Sequence, residues 1–134
     1  MFPAFGIWRI NMYDIEINGT SYPVKFGMHF ISEINKRVTV SMDAWGGKEE
    51  NVGLNYYIAK LMDGDLEALQ QILFVANKTE TPKLKISMLN EWFEDENTDI
   101  DAIFKQVTDF LSEANCTKKT YRTVKKALEE QNQN

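Results

Sequence analysis

Few residues of this 134-residue chain could carry chemistry, and their spacing argues against most of it. His29 is the one histidine and Cys116 the one cysteine, so neither a zinc set of cysteines and histidines nor an intramolecular disulfide can form. A nucleophilic thiol needs a base or a positive field beside it, and nothing near Cys116 in the sequence supplies one. Cys116 therefore reads as a buried or half-buried structural thiol. His29 stands between Met28 and Phe30, a setting that suggests packing. No Walker-type or dinucleotide-type glycine pattern is present. The segment "DENTDID" places Asp95, Asn97 and Asp99 at the first, third and fifth positions of a calcium loop. Such a loop then needs glycine sixth and glutamate twelfth, where this chain has Ile100 and Gln106. An exposed acidic turn capping a helix is the better reading. No catalytic residue, cofactor or metal site is expected.

Two further patterns concern modification and partners. Asn18-Gly19-Thr20, Asn77-Lys78-Thr79 and Asn115-Cys116-Thr117 match the N-glycosylation acceptor. The opening "MFPAFGIWRIN" lacks the basic start of a secretory signal, its Arg9 following the apolar part, so the acceptors are expected to be unused. No apolar run approaches the roughly 20 residues that span a bilayer, and no membrane partner is expected. A formal charge of −5 disfavours non-specific nucleic-acid binding by the whole molecule. Lys118, Lys119, Arg122, Lys125 and Lys126 could still touch DNA, with Tyr121 to stack. That segment lacks an obvious base-reading face, and the acidic stretch from Glu91 to Asp101 offers charge pairing within the chain or with a neighbour.

The elements that would position these residues are legible from periodicity. Hydrophobic residues make up 43% and charged residues 26%, ordinary values for one globular domain. In "MYDIEINGTSYPVKFG" apolar residues alternate on both sides of Asn-Gly, which predicts a β-hairpin over 12–27 with a primed turn. Pro23 lacks an N–H, so its strand should be an edge or face outward there. After Gly27 "MHFISEINKRV" predicts a helix, followed by a Gly46-Gly47 break. "VGLNYYIAKLM" stripes Leu54, Tyr57, Ile58 and Leu61, and Asp63-Gly64-Asp65 ends it. Asp65 should cap a helix burying Leu66, Leu69, Ile72, Leu73 and Ala76. Ser87 could cap a short helix bearing Leu89, Trp92 and Phe93. Thr98 and Asp101 resemble a capping box before the stripe Ile100, Ile103, Phe104, Val107, Phe110 and Leu111. A last helix from about Thr117 presents Tyr121, Val124 and Leu128. The expected fold is α+β and predominantly helical, a hairpin packed on about five or six short helices. It divides into an N-terminal extension (1–11), hairpin (12–27), helical part (28–130) and frayed tail (131–134).

Apolar residues exceed what the stripes need. Phe74 and Val75 lie off the stripe of their helix, so that helix must be covered on more than one side, as the centre of the bundle or at an interface. "MFPAFGIW" adds Phe2, Phe5, Ile7 and Trp8 outside the hairpin. Phe74, Val75, Trp92 and Phe93 are the candidate residues for partner binding or self-association.

The order of segments is itself informative. "YDIEINGTSYPVKFGMHFISEINKR", "GLNYYIAKLMDGDLEALQQILFVANKT" and "DIDAIFKQVTDFLSEANCTKK" resemble the tail assembly chaperones of long-tailed phages infecting Gram-positive bacteria. The resemblance covers roughly residues 12 to 130 and rests on segment order, the "DGD" turn, "ANKT", the acidic helix and the lysine-rich end. It implies a protein without enzymatic activity that coats the tape measure protein in many copies in the host cytoplasm. It also implies recruitment of major tail protein, absence from the finished virion, and a longer product made by programmed −1 frameshifting. In that family the hairpin lies close to the N-terminus, so Met12 is a candidate start. The alternative is that residues 1–11 form an aromatic arm docking on a neighbouring subunit. Two other functions compete: a small DNA-associated regulator using the basic helix, and a structural protein retained in the virion.

Overall fold

Asn18 and Gly19 set the first element. In the computed structural model, which describes residues 12–42 and 48–132, both have positive φ, 52° and 83°. Those are the left-handed conformations that a two-residue primed turn requires. The turn joins β1 (Met12–Ile17) to β2 (Thr20–Lys25), antiparallel, with Ile17 opposite Thr20 and Tyr13 opposite Val24. Ile15, Ile17, Tyr22 and Val24 are buried while Asp14, Glu16 and Lys25 are exposed, so period-two patterning chose the core face. Pro23 stands opposite Asp14. Counting alternate pairs from the closing Ile17–Thr20 pair, this is a non-hydrogen-bonded site where no ladder N–H is needed. Among the described residues the sheet has two strands, so β2 is also an edge there, as its proline required.

The chain then turns helical. α1 (Met28–Asn35) buries Phe30 and Ile34 and stops at Asn35. The residues after it form a second antiparallel hairpin, β3 (Thr39–Met42) with β4 (Lys48–Asn51). Sequence periodicity did not predict that sheet. The β-branched run Val38-Thr39-Val40 favours a strand, but its partner "KEEN" carries no apolar alternation. The Gly46-Gly47 break lies outside the described residues, as do the N-terminal extension and the end of the tail.

α2 (Gly53–Met62) starts against the end of α1. Its Leu54 N–H donates to Asn35 Oδ1 at 2.8 Å, a cap supplied across the fold. It ends at Gly64, φ +82°, where the Gly64 N–H reaches Leu61 O and the Asp65 N–H reaches Lys60 O, both at 3.0 Å. That pair of bonds is a Schellman ending. Asp65 then caps α3 (Leu66–Asn77), its Oδ1 accepting from Ala68 N–H at 3.0 Å.

α4 (Ile86–Glu94) begins after Lys85, so Ser87 lies inside the first turn and is no cap. α5 (Ile100–Glu113) is capped by Asp99, whose Oδ1 accepts from Ala102 N–H at 3.1 Å, in place of the expected Thr98–Asp101 box. The register is one residue later because Asp95 O takes the Thr98 N–H, which keeps Thr98 in the preceding turn. Buried Thr117 holds the corner into α6 (Lys118–Asn132), donating its hydroxyl to Leu111 O at 2.7 Å.

α3 is the central helix: it packs on β2, α1, α2 and α4, while α6 packs on α2 and α5. Its buried set is Ala68, Leu69, Ile72, Leu73, Val75, Ala76 and Asn77. Leu66, expected inside, is 39% exposed because it opens the helix ahead of that set. One hydrophobic cluster joins the hairpin, through Ile15 and Phe26, to Leu111 of α5 and Val124 of α6. With six helices and two small hairpins among the described residues, the fold is α+β and mostly helical.

Candidate partner-binding surfaces

The four residues singled out from the sequence separate in space. Val75 is 1% exposed and belongs to the core, so it offers no surface to a partner. Covering Val75 is what makes α3 central, which also explains why its apolar residues wrap beyond one stripe. Phe74 is half-buried on the outer side of α3, with the Lys78 ammonium 5.4 Å from its ring centre. Trp92 and Phe93 are half-buried on α4 and stacked, ring centres 5.6 Å apart and planes at 26°. Only this pair is brought together.

Leu89 anchors α4 into the core, and at 100° per residue Trp92 and Phe93 straddle the edge of that anchored face. Trp92 therefore lines a groove of about 260 Å³ against the hairpin turn, with Tyr22, Glu91 and Asp95. Phe93 lines a shallower one of about 170 Å³ against the start of α3, with exposed Leu66, Glu67 and Glu94. No lysine or arginine lines either groove.

A second apolar surface lies at the hairpin–α1 junction. Met28 is 69% exposed and lines a groove of about 520 Å³ with Lys25, His29, Glu80 and Cys116, above the buried Phe26, Phe30 and Val75. Sequence reasoning missed Met28, although the signal was present: it sits opposite the Phe30–Ile34 stripe of its own helix. His29 is exposed, against the packing reading that its apolar neighbours suggested. Cys116 is likewise an exposed thiol, because the α5–α6 corner buries Thr117 in its place.

Other sequence patterns resolve into structure. Asp95 Oδ1 accepts from Asn97 N–H at 2.9 Å, an Asx turn, and no metal-holding cluster of acids, histidines or cysteines occurs among the described residues. The acceptor-like Asn77 is 1% exposed with its amide fully engaged, so no glycan could be attached there in the folded chain. Burial pushes the Tyr121 phenol up, with the Asp109 charge adding to it, so this hydroxyl is no acid at neutral pH. No described helix is long and apolar enough to cross a membrane.

The arrangement offers binding surfaces. In comparison with known proteins, a family model described as phage tail assembly chaperone protein matches residues 14–126, from β1 into α6. Neither a curated protein nor a solved structure matches the chain.

Proposed function

The chain belongs to the phage tail assembly chaperone family, and on that premise we propose that it coats and solubilises the tape measure protein and helps recruit major tail protein subunits. The role needs no catalysis. Many weak contacts along one elongated client add avidity without high affinity at each site. The observation that supports a client-binding role is the Met28 groove of about 520 Å³, where exposed Met28 stands beside Lys25, His29 and Glu80 above the buried Phe26 and Phe30. Methionine adapts its shape to varied apolar side chains, which suits a client presenting a long and changing sequence. In this reading the chain works in the cytoplasm of an infected Gram-positive host, leaves before the particle is complete, and is the shorter of two frameshift-related products.

Co-expression with the tape measure protein tests the proposal. The client should become soluble and co-purify with the chain. The exposed substitution Met28→Glu should reduce recovery of the complex several-fold while leaving the fold intact. A client that stays insoluble beside the wild-type chain, with no complex recovered, would overturn the reading. Finding the chain as a stoichiometric component of purified particles would instead assign it to the virion.

A further inference from the structure

The stacked Trp92 and Phe93 separate two grooves with different walls. The Trp92 groove, about 260 Å³, is rimmed by the exposed carboxylates of Glu91 and Asp95. Asp95 uses Oδ1 to accept the Asn97 N–H, which leaves Oδ2 without a partner among the described residues. The Phe93 groove, about 170 Å³, is lined by exposed Leu66 with Glu67 and Glu94 at its rim. Its neutral polar residues are engaged with each other, Gln70 donating to Asn90 Oδ1 and so joining α3 to α4. None of the four carboxylates takes part in an ion pair among the described residues.

Size and charge together select what these grooves can hold. Both fall below the roughly 300 to 1,000 Å³ of small-molecule pockets, so each suits one side chain of a larger partner. An indole face beside two carboxylates attracts a cation, and tryptophan is the strongest of the aromatic residues in this respect. A guanidinium fits better than an ammonium, because its plane stacks on the ring while its fork of N–H groups pairs with a carboxylate. Ile17 and Met88, which also line the Trp92 groove, give the methylenes of such a side chain an apolar wall. The Phe93 groove, with Leu66 beside the ring, suits an apolar side chain.

We infer that this surface receives a client segment carrying an arginine close to an apolar residue, the guanidinium entering the Trp92 groove and the apolar side chain the Phe93 groove. Both side chains must leave the same face of the client. They are therefore two apart in an extended segment, or three to four apart in a helix. The inference rests on the client-binding reading above and adds a second contact, distinct from the Met28 groove, with a chemistry of its own. Acidic segments are turned away by the same carboxylates, so the surface selects among stretches of one long client. The contact is also salt-sensitive, since the screening length falls to ~3 Å near 1 M salt.

The test probes short overlapping peptides that tile the tape measure protein with the full chain in solution. The bound peptides should carry an arginine with an apolar residue two to four positions away, and their binding should fade at high salt. Replacing that arginine by lysine should weaken binding several-fold, and replacing it by glutamate should abolish it. Glu91→Lys should weaken binding about tenfold by setting a like charge against the arginine. Glu91 is exposed, so this variant should keep the wild-type circular dichroism spectrum. It should also regain binding to the peptide whose arginine has become glutamate. Bound peptides without a cation would overturn the inference, as would wild-type binding by Glu91→Lys or a charge swap that restores nothing. Capture confined to peptides of the major tail protein would overturn it too. If no peptide binds while the wild-type chain still solubilises the co-expressed tape measure protein, this contact is removed and the client reading stands. A client that stays insoluble beside the wild-type chain overturns both, so the two failures are distinguishable.

Discussion

Asn77 shows how much of the fold can hang on one polar side chain. Its Nδ2 donates to Pro23 O at 2.8 Å and to Pro82 O at 3.0 Å, while its Oδ1 accepts from Leu84 N–H at 2.6 Å. The residue is 1% exposed, so water cannot replace any of these bonds. It ties β2 to the end of α3 and to the connector that leads into α4. Asn77→Ala should leave two carbonyls and one N–H unpaired and lower unfolding stability by about 3 kcal/mol. Urea denaturation checks this, and a loss below about 1 kcal/mol would mean that the groups find other partners. In the sequence Asn77 looked like a glycosylation acceptor at a polar helix end. Its clamp could not be read there, because one of its partners is 54 residues away and no periodicity links them. The same limit applied to Cys116 and His29, whose exposure was decided by which neighbour the corner or helix turned inward.

At the scale of elements, local signals were reliable where they were self-contained. Asn18-Gly19 needs only its own backbone to make a turn, and Asp65 needs only the first turn of α3 to act as a cap. The β3–β4 hairpin was not legible because the sequence of β4, "KEEN", has no apolar alternation to announce it. Its place is fixed from outside, by the Val52 N–H donating to Val38 O at 2.9 Å and by the seating of α2 on α1. Gly53 makes that seating possible. A Cβ at Gly53 would lie 1.8 Å from Ile34 O and 2.9 Å from Asn35 Cα, both backbone atoms that cannot swing aside. Gly53→Ala should therefore push α1 and α2 apart, strain the Asn35 cap on Leu54, and cost about 3 kcal/mol. Thermal melting against the wild type measures the effect. An unchanged midpoint would show that the two helices are not held as closely as the geometry requires.

For the molecule as a whole, the central question is whether the N-terminal hairpin is an independent piece or part of the body. A two-stranded sheet is marginal on its own, and among the described residues β1–β2 has no third strand to support it. Its inner face instead enters the common core. Tyr13 stacks on Phe110 of α5 with ring centres 4.3 Å apart, and Phe26 meets Phe30 of α1 edge-on at 5.0 Å. Val24, Leu73 and Leu111 are all fully buried in one cluster, so the hairpin, the central helix and the C-terminal pair share their apolar contacts. Removing any one of them would expose surface on the other two. Unfolding in urea should then be a single transition, with the far-ultraviolet signal of the helices and the near-ultraviolet signal of the packed aromatics falling on one curve. A near-ultraviolet loss that precedes the helical one would show the hairpin detaching first. Coincidence matters for binding as well. The Trp92 groove is walled on one side by the turn residue Asn18 with Thr20 and Tyr22 of β2, and on the other by α4. The groove exists only while hairpin and helices stay docked, so the cooperativity that holds the core together also holds the surface in shape.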